Sequence, residues 1–304
     1  MAAGRMHDDE VDTSVSLVSR LLARQFPRWA DLRIEPVSSA GTDNALYQLG
    51  DDMVVRLPRI HWATGQIDKE RQWLPRLAPH LPFPIPVQLA MGEPGEGYPW
   101  HWSVCSWLEG ENATFERLAD PCRGAKDVAH FIAALRRIDT TGGPLAGRAG
   151  LSRGGPLATR DAYTREAIAA LRGMIDTDAA TAAWEAALQT PGWNHPPVWF
   201  HGDLLPGNLL FREGRLSGVI DFGALGVGDP ACDLMIAWNL FSDESRDIFR
   251  ATLAVDDATW ARGRGWALSQ ALIFIPYYLN TNPVGVACAR RAVDEVLADH
   301  RAGA

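Results

Sequence analysis

Cysteine is scarce in this chain: Cys105, Cys122, Cys232 and Cys288 stand far apart, with no C-x-x-C pair among them. That spacing excludes the familiar structural-zinc and dithiol signatures and fits a reducing, cytoplasmic setting. Long apolar runs are missing too. Nowhere do about eighteen apolar residues follow one another, and residues 1–10 lack the apolar stretch of a secretory signal, so neither a membrane span nor export is expected. Positive charge is in deficit, since 29 Lys and Arg against 37 Asp and Glu leave a net charge of −8. A broad basic face for nucleic-acid phosphates or anionic lipid is thereby excluded, and small molecules become the expected partners. No repeat, low-complexity tract or feature calling for a protein partner stands out.

What is present belongs to a globular protein. With 304 residues, 47% hydrophobic and 22% charged, the chain can bury a core of one large domain or two ordinary ones. Residues 13–26 set Val15, Val18, Leu21, Leu22 and Phe26 at helical spacing behind Thr13 or Ser14 as caps. After a loop of small residues, 45–49 and 53–57 read as a β-hairpin around the Gly50-Asp51-Asp52 turn. A second helix is expected over 65–77, ended by Pro79 and Pro82, and a further strand over 100–108. From about Asn112 the pattern turns helical, with candidates at 128–138, 162–175 and 179–188. The change puts a linker at 107–110. Residues 141–156, rich in Gly and Pro, read as a mobile surface loop.

The chemistry concentrates in residues 198–223. Two short apolar strands, 209–211 and 216–220, flank the tight Arg212-Glu213-Gly214-Arg215 turn, which brings Asn208 and Asp221 to neighbouring open ends. An amide oxygen and a carboxylate so placed can share a hard cation such as Mg²⁺, and Asp203 lies on the loop just before. Phosphoryl transfer needs little more than such ligands and a carboxylate to orient the acceptor hydroxyl. At about one in twenty per specified residue, D-x-x-x-x-N alone would arise by chance in about every other chain of this length. The added His201, the Asp221-Phe222-Gly223 run and the intervening hairpin make coincidence remote.

The run from His201 to Asn208, followed by Val219-Ile220-Asp221-Phe222-Gly223 and by 228–233, resembles the aminoglycoside phosphotransferase family, the small-molecule branch of the protein-kinase-like fold. The resemblance covers most of the chain. It implies an α+β, two-lobed fold, with a small N-terminal β-sheet lobe for nucleotide (1–108) and a larger, mainly helical lobe for catalysis and substrate (109–304). It implies Asp203 as catalytic base, Asn208 and Asp221 as Mg²⁺ ligands, Asp233 as a brace for the catalytic loop, and His201 as structural. Arg56 on a strand and Glu70 on the next helix match the family's ion pair. Ser38, Ser39, Gly41, Thr42 and Asn44 stand where the phosphates of ATP, or of GTP as the alternative, would be covered. Ser106 to Leu108 would be the hinge at the adenine. Trp238, Asp243 and Glu244 lie where relatives place substrate contacts. The chain departs from the kinase pattern in lacking G-x-G-x-x-G and in using Arg56 in place of Lys; Leu205 stands where many relatives have His.

The implied activity is ATP- and Mg²⁺-dependent phosphorylation of a hydroxyl on a small polar molecule, with an aminoglycoside or macrolide antibiotic as the family-level acceptor. Three other readings stay open: a kinase of an ordinary amino alcohol, sugar or homoserine-like metabolite; a non-catalytic nucleotide-binding regulator; and a metal-dependent hydrolase. The last would normally show more closely spaced His and carboxylate ligands than this chain offers.

Overall fold

Alternation along the N-terminal strands decides which side of the sheet is dry and which faces the cleft. The structure is a computed structural model that describes residues 10–37, 41, 43–115, 118–147 and 152–302. Helix α1 (Val15–Gln25) starts where the Ser14 hydroxyl accepts the Leu17 N–H at 3.2 Å, and it buries Leu17, Val18, Leu21 and Leu22. Its partner is an antiparallel sheet of β1 (Ile34–Pro36), β2 (Asn44–Leu49), β3 (Met53–Pro58), β4 (Gln88–Gly92) and β5 (Trp102–Ser106), in the order β1-β2-β3-β5-β4. Ala45, Tyr47, Leu49, Val55, Leu57, Trp102 and Val104 form one core with α1. The opposite face then carries Leu46, Arg56 and Ser103, which the register sets side by side across β2, β3 and β5.

Helix α2 (Thr64–Leu77) joins the two halves. Its Glu70 meets Arg56, while Trp73, Leu74 and Leu77 enter the large C-terminal core, where Trp73 lies 4.9 Å from Trp199. Burying such side chains contributes about 1.5–3 kcal/mol each, so the helix is anchored in the C-terminal core and tied to the sheet through Glu70 and Arg56. The helix tolerates Pro75 in its last turn and ends at Leu77, before the two prolines expected to stop it.

The rest is mainly helical, apart from β6 (Glu111–Asn112), β7 (Val198–Phe200), the hairpin β8 (Leu209–Arg212) and β9 (Arg215–Val219), and β10 (Gly226–Gly228). Helix α3 (Pro121–Leu135) begins seven residues earlier than its apolar periodicity suggests, because Asp120 caps it and Pro121 suits the first turn. Helices α4 (Asp161–Ala170), α5 (Thr177–Leu188), α6 (Ile236–Asn239), α7 (Asp243–Leu253), α8 (Asp257–Tyr278) and α9 (Pro283–Ala302) follow. Helix α8 is buried along most of its length, with Trp266, Leu268, Leu272 and Ile275 inside the core. Among the described residues no helix is long and apolar enough to cross a membrane.

The segment 141–156 corrects the expectation of a free surface loop. Val227 N–H donates to Pro144 O and Ala146 N–H to Val227 O, both at 2.8 Å, and Asp229 N–H donates to Gly154 O at 2.9 Å. The described parts of the segment, 141–147 and 152–156, are therefore fastened to β10 and to Asp229 just after it, and both Gly154 and Gly155 are buried.

Candidate active site

Strand β7 delivers the chain into a loop that is held from below. The carboxylate of Asp233, fully buried, accepts the N–H groups of His201 at 2.9 Å and Gly202 at 2.7 Å. Gly202 adopts φ +86°, and a Cβ there would lie 2.6 Å from the Ala224 carbonyl oxygen, so only glycine fits. The His201 ring bridges the two halves of the site: Nδ1 accepts the Asp203 N–H at 3.2 Å, and Nε2 donates to Ile220 O at 3.0 Å. Burial lowers its pKa, which keeps the imidazole neutral as this pairing requires.

Asp203 and Asn208 face each other across the next turn. The Asn208 amide donates to the Asp203 carbonyl at 2.8 Å and to its Oδ2 at 3.1 Å. The hairpin register pairs Leu209 with Val219, and the Ile220 N–H donates to Asn208 O at 2.9 Å, which sets Asp221 beside Asn208. Asp221 has φ +63°, a left-handed conformation that Asp tolerates better than most residues, and it turns the chain sharply into Phe222 and Gly223.

Across from this loop, Arg56 Nη1 donates to Glu70 Oε2 at 2.5 Å, and Nη2 lies 3.9 Å from Asp221 Oδ1. Burial opposes the arginine charge, yet Glu70, with help from Asp221, outweighs it and holds the pKa of Arg56 above its ordinary value. The pair is buried, which removes the alternative of an incidental surface bridge. Helix α2 adds two tethers that the sequence did not announce: Gln66 donates to Asp43 Oδ2 at 3.0 Å and Lys69 to Leu225 O at 3.2 Å. Asp203 itself is pushed up to about 6, first by burial and then by Asp221, with Arg153 pulling the other way.

A model of the phosphotransferase enzyme family, APH, matches residues 33–266. The chain belongs to the phosphotransferase enzyme family. An aminoglycoside 3'-phosphotransferase of Escherichia coli is 34% identical over 80 residues, 23% of this chain and 30% of that enzyme. One from Salmonella typhimurium is 47% identical over 45 residues, 15% of this chain and 17% of that enzyme. The matched stretches thus span at most 30% of the length of these curated relatives. Among solved structures, the GDP complex of wild-type aminoglycoside 2'-phosphotransferase-IIIa superimposes with TM-score 0.74 at 18% identity, over 95% of this chain and all of that one. The macrolide 2'-phosphotransferase of Brachybacterium faecium gives TM-score 0.59 at 23% identity, over 93% and 97%. These likenesses show the two-lobed α+β fold shared by the phosphotransferase family.

In this family member a divalent cation fits the donor set. Asn208 commits its amide N–H₂ to Asp203, which leaves Oδ1 without a protein donor among the described residues. Among the described residues the Asp221 carboxylate accepts one long 3.4 Å contact, from the Gly223 N–H, and its side chain is 35% exposed. Among the described residues no group of three or more His, Cys, Asp or Glu forms a metal cage. That suits Mg²⁺, which takes one or two protein oxygens and completes its shell with phosphates and water.

The remaining expected positions divide. Asn44 opens β2 and is buried, with its Oδ1 unpaired among the described residues; Gly41 is exposed; Ser38, Ser39 and Thr42 lie outside the described residues. At the hinge, the amide N–H groups of Ser106 and Trp107 are taken by Val87 O and Asp52 O, so of 106–108 only the Leu108 amide remains as a donor among the described residues. Trp238 requires a correction: it is 0% exposed and packs 4.7 Å from Trp260, so it belongs to the core and not to a substrate wall. Asp243 and Glu244 are exposed in the first turn of α7, where acidic side chains favour the helix terminus. A cavity of about 440 Å³ is lined by Glu109–Ala113, Leu118, Ala119 and the tip of the β8–β9 hairpin, and none of Asp203, Asn208 or Asp221 borders it. Sequence reading missed Arg153, which reaches Asp203 from the fastened segment.

Proposed function

We propose that the chain transfers the terminal phosphoryl group of ATP, with GTP as the alternative nucleotide, to a hydroxyl of a small polar acceptor of the aminoglycoside or macrolide kind. The observation that carries this reading is the convergence of Asp203, Asn208 and Asp221 opposite an Arg56 braced by Glu70. Solved relatives crystallised with GDP, with ADP and with ATP, and relatives of both antibiotic classes, support the choice of nucleotide and acceptor. In this reading residues 1–108 hold the nucleotide, 109–304 supply catalysis and acceptor binding, and the protein works in the cytoplasm.

Asp203 orients the acceptor hydroxyl and receives its proton as the oxygen attacks phosphorus. Arg56 holds the nucleotide phosphates, and Glu70 fixes the direction of its guanidinium. Asn208 and Asp221 would hold Mg²⁺, which when bound neutralises charge on the phosphates. Asp233 and His201 keep the loop rigid, so that little reorganisation is needed at the moment of transfer.

The test is nucleoside-diphosphate release with Mg-ATP or Mg-GTP against aminoglycosides, macrolides, amino alcohols and sugars, with the product checked by mass. Acceptor-stimulated release and a product one phosphoryl group heavier are expected, and Asp203→Ala should remove transfer while nucleotide binding persists. Full turnover by that variant would remove Asp203 from the mechanism.

A further inference from the structure

The catalytic loop, Asp203-Leu204-Leu205-Pro206-Gly207-Asn208, contains no cationic side chain. Among the described residues, the cation in contact with Asp203 comes from fifty residues upstream. Arg153 donates from Nε to the Gly202 carbonyl at 2.7 Å, and its Nη2 lies 3.4 Å from Asp203 Oδ1. Because Asn208 donates to Oδ2, each oxygen of the Asp203 carboxylate has its own donor.

Arg153 is placed by construction and not by chance at the surface. Its neighbour Gly154 has φ +69°, and a Cβ there would sit 2.1 Å from the Phe200 ring, so that the chain at this point can only be glycine pressed onto β7. The Gly154 carbonyl is held by the Asp229 N–H, and Asp229 is in turn held by Arg262. The guanidinium also stands 6.0 Å from the Trp266 ring, and its side chain is only 15% exposed.

We propose that Arg153 is the positioning residue of this catalytic loop: it fixes the plane of the Asp203 carboxylate through the Gly202 carbonyl and Oδ1, and supplies the positive charge the loop itself lacks. A carboxylate held at one oxygen can rotate about its terminal torsion; a second donor on the other oxygen removes that freedom, and base and acceptor hydroxyl then meet in one geometry. The inference rests on the phosphotransferase reading for its kinetic consequences, but the placement of the carboxylate can be tested without it.

The experiment is Arg153→Ala, with Arg153→Lys and Arg153→Gln beside it, read by steady-state kinetics with nucleotide and acceptor varied separately, and by a crystal structure of each folded variant. For Arg153→Ala a fall in kcat of at least about tenfold is expected, with KM for nucleotide changed less than twofold. Non-denaturing guanidinium in the buffer should restore part of the loss, which a merely structural defect would not allow. In the crystal structure the Asp203 carboxylate should turn away from its contact with Asn208. If Arg153→Ala does not fold, Arg153→Gln, which keeps one donor and most of the bulk, should show the smaller form of the same kcat effect. An unmoved carboxylate, or an unchanged kcat, overturns the proposal. Should the wild-type protein bind nucleotide yet phosphorylate no acceptor, the phosphotransferase reading fails, while the carboxylate orientation in the variant still decides the role of Arg153.

Discussion

Two arginine–carboxylate pairs, Arg56–Glu70 and Arg262–Asp229, are equally buried, at 7% and 3% exposure against 4% and 7%, and they are finished differently. Arg262 grips Asp229 with two nitrogens at 2.8 and 3.3 Å, and adds Pro191 O at 2.8 Å and Thr259 Oγ1 at 3.1 Å. Asp229 also takes the Ala231 N–H at 3.0 Å. Every nitrogen of the guanidinium and both oxygens of the carboxylate thus have a partner. In the other pair a single 2.5 Å bond joins Arg56 to Glu70, Nη2 reaches only to 3.9 Å from Asp221, and Glu70 Oε1 has no donor among the described residues. Burial alone therefore says little about the role of an ion pair. Completion does: a closed pair staples the fold, while an open one keeps hydrogen-bonding capacity for a ligand.

Cutting the closed pair should give the largest effect. Arg262→Ala leaves a buried carboxylate unpaired and should cost about 3–5 kcal/mol of stability, seen as a lowered denaturant midpoint, while the folded fraction keeps its KM for nucleotide. A variant that melts like the wild type but loses nucleotide affinity would reverse the assignment of the two pairs.

The same contrast explains what the sequence made legible. Asp203, Asn208 and Asp221 lie within one short run, joined by a turn whose residues announce it, so their meeting follows from local structure. Arg56 and Glu70 sit at matching points of a strand and the next helix, again within local reach. Arg262 and Asp229 are 33 residues apart, and Arg153 and Asp203 are 50 apart; nothing in either stretch marks the partner. Strands β1 and β4 escaped notice for a different reason: they edge the sheet, and their short, half-exposed runs show no clean alternation. Trp238 misled because helix α6 is buried on most sides, so position along the chain could not tell a core face from a cleft face.

Opening the open pair also leaves a buried carboxylate without its cation, but unlike the closed pair it should act on the ligand as well as on the fold. Arg56→Ala should raise the nucleotide Kd about ten- to hundredfold, about 1.4–2.7 kcal/mol, measured by calorimetric titration. Arg56→Lys should recover only part, because an ammonium cannot bridge Glu70 and the phosphates with a planar fork. Equal nucleotide affinity across the wild type and both variants would make Arg56–Glu70 a second staple and erase the distinction.

The smallest expected effect separates the arginine pairs from the base they surround. Arginine charges persist across the working pH range, so an acid limb near neutrality does not come from Arg56 or Arg153, whereas Asp203, pushed up to about 6 by its burial, is placed to produce one. Only the ionised form accepts a proton, so kcat/KM should be flat above about pH 7 and fall about tenfold per unit below pH 6. The stability consequence runs the other way. With its folded pKa above the usual carboxylate value, the native state takes up a proton on this group before the unfolded chain does; the unfavourable contribution present above pH 6 is relieved as pH falls toward 4. Transfer should therefore fade between pH 6 and 5 while the thermal midpoint takes no penalty from Asp203. An acid limb centred near pH 4 would mean that Asp203 ionises as an ordinary exposed carboxylate, and that the cleft around it is wetter than its packing implies.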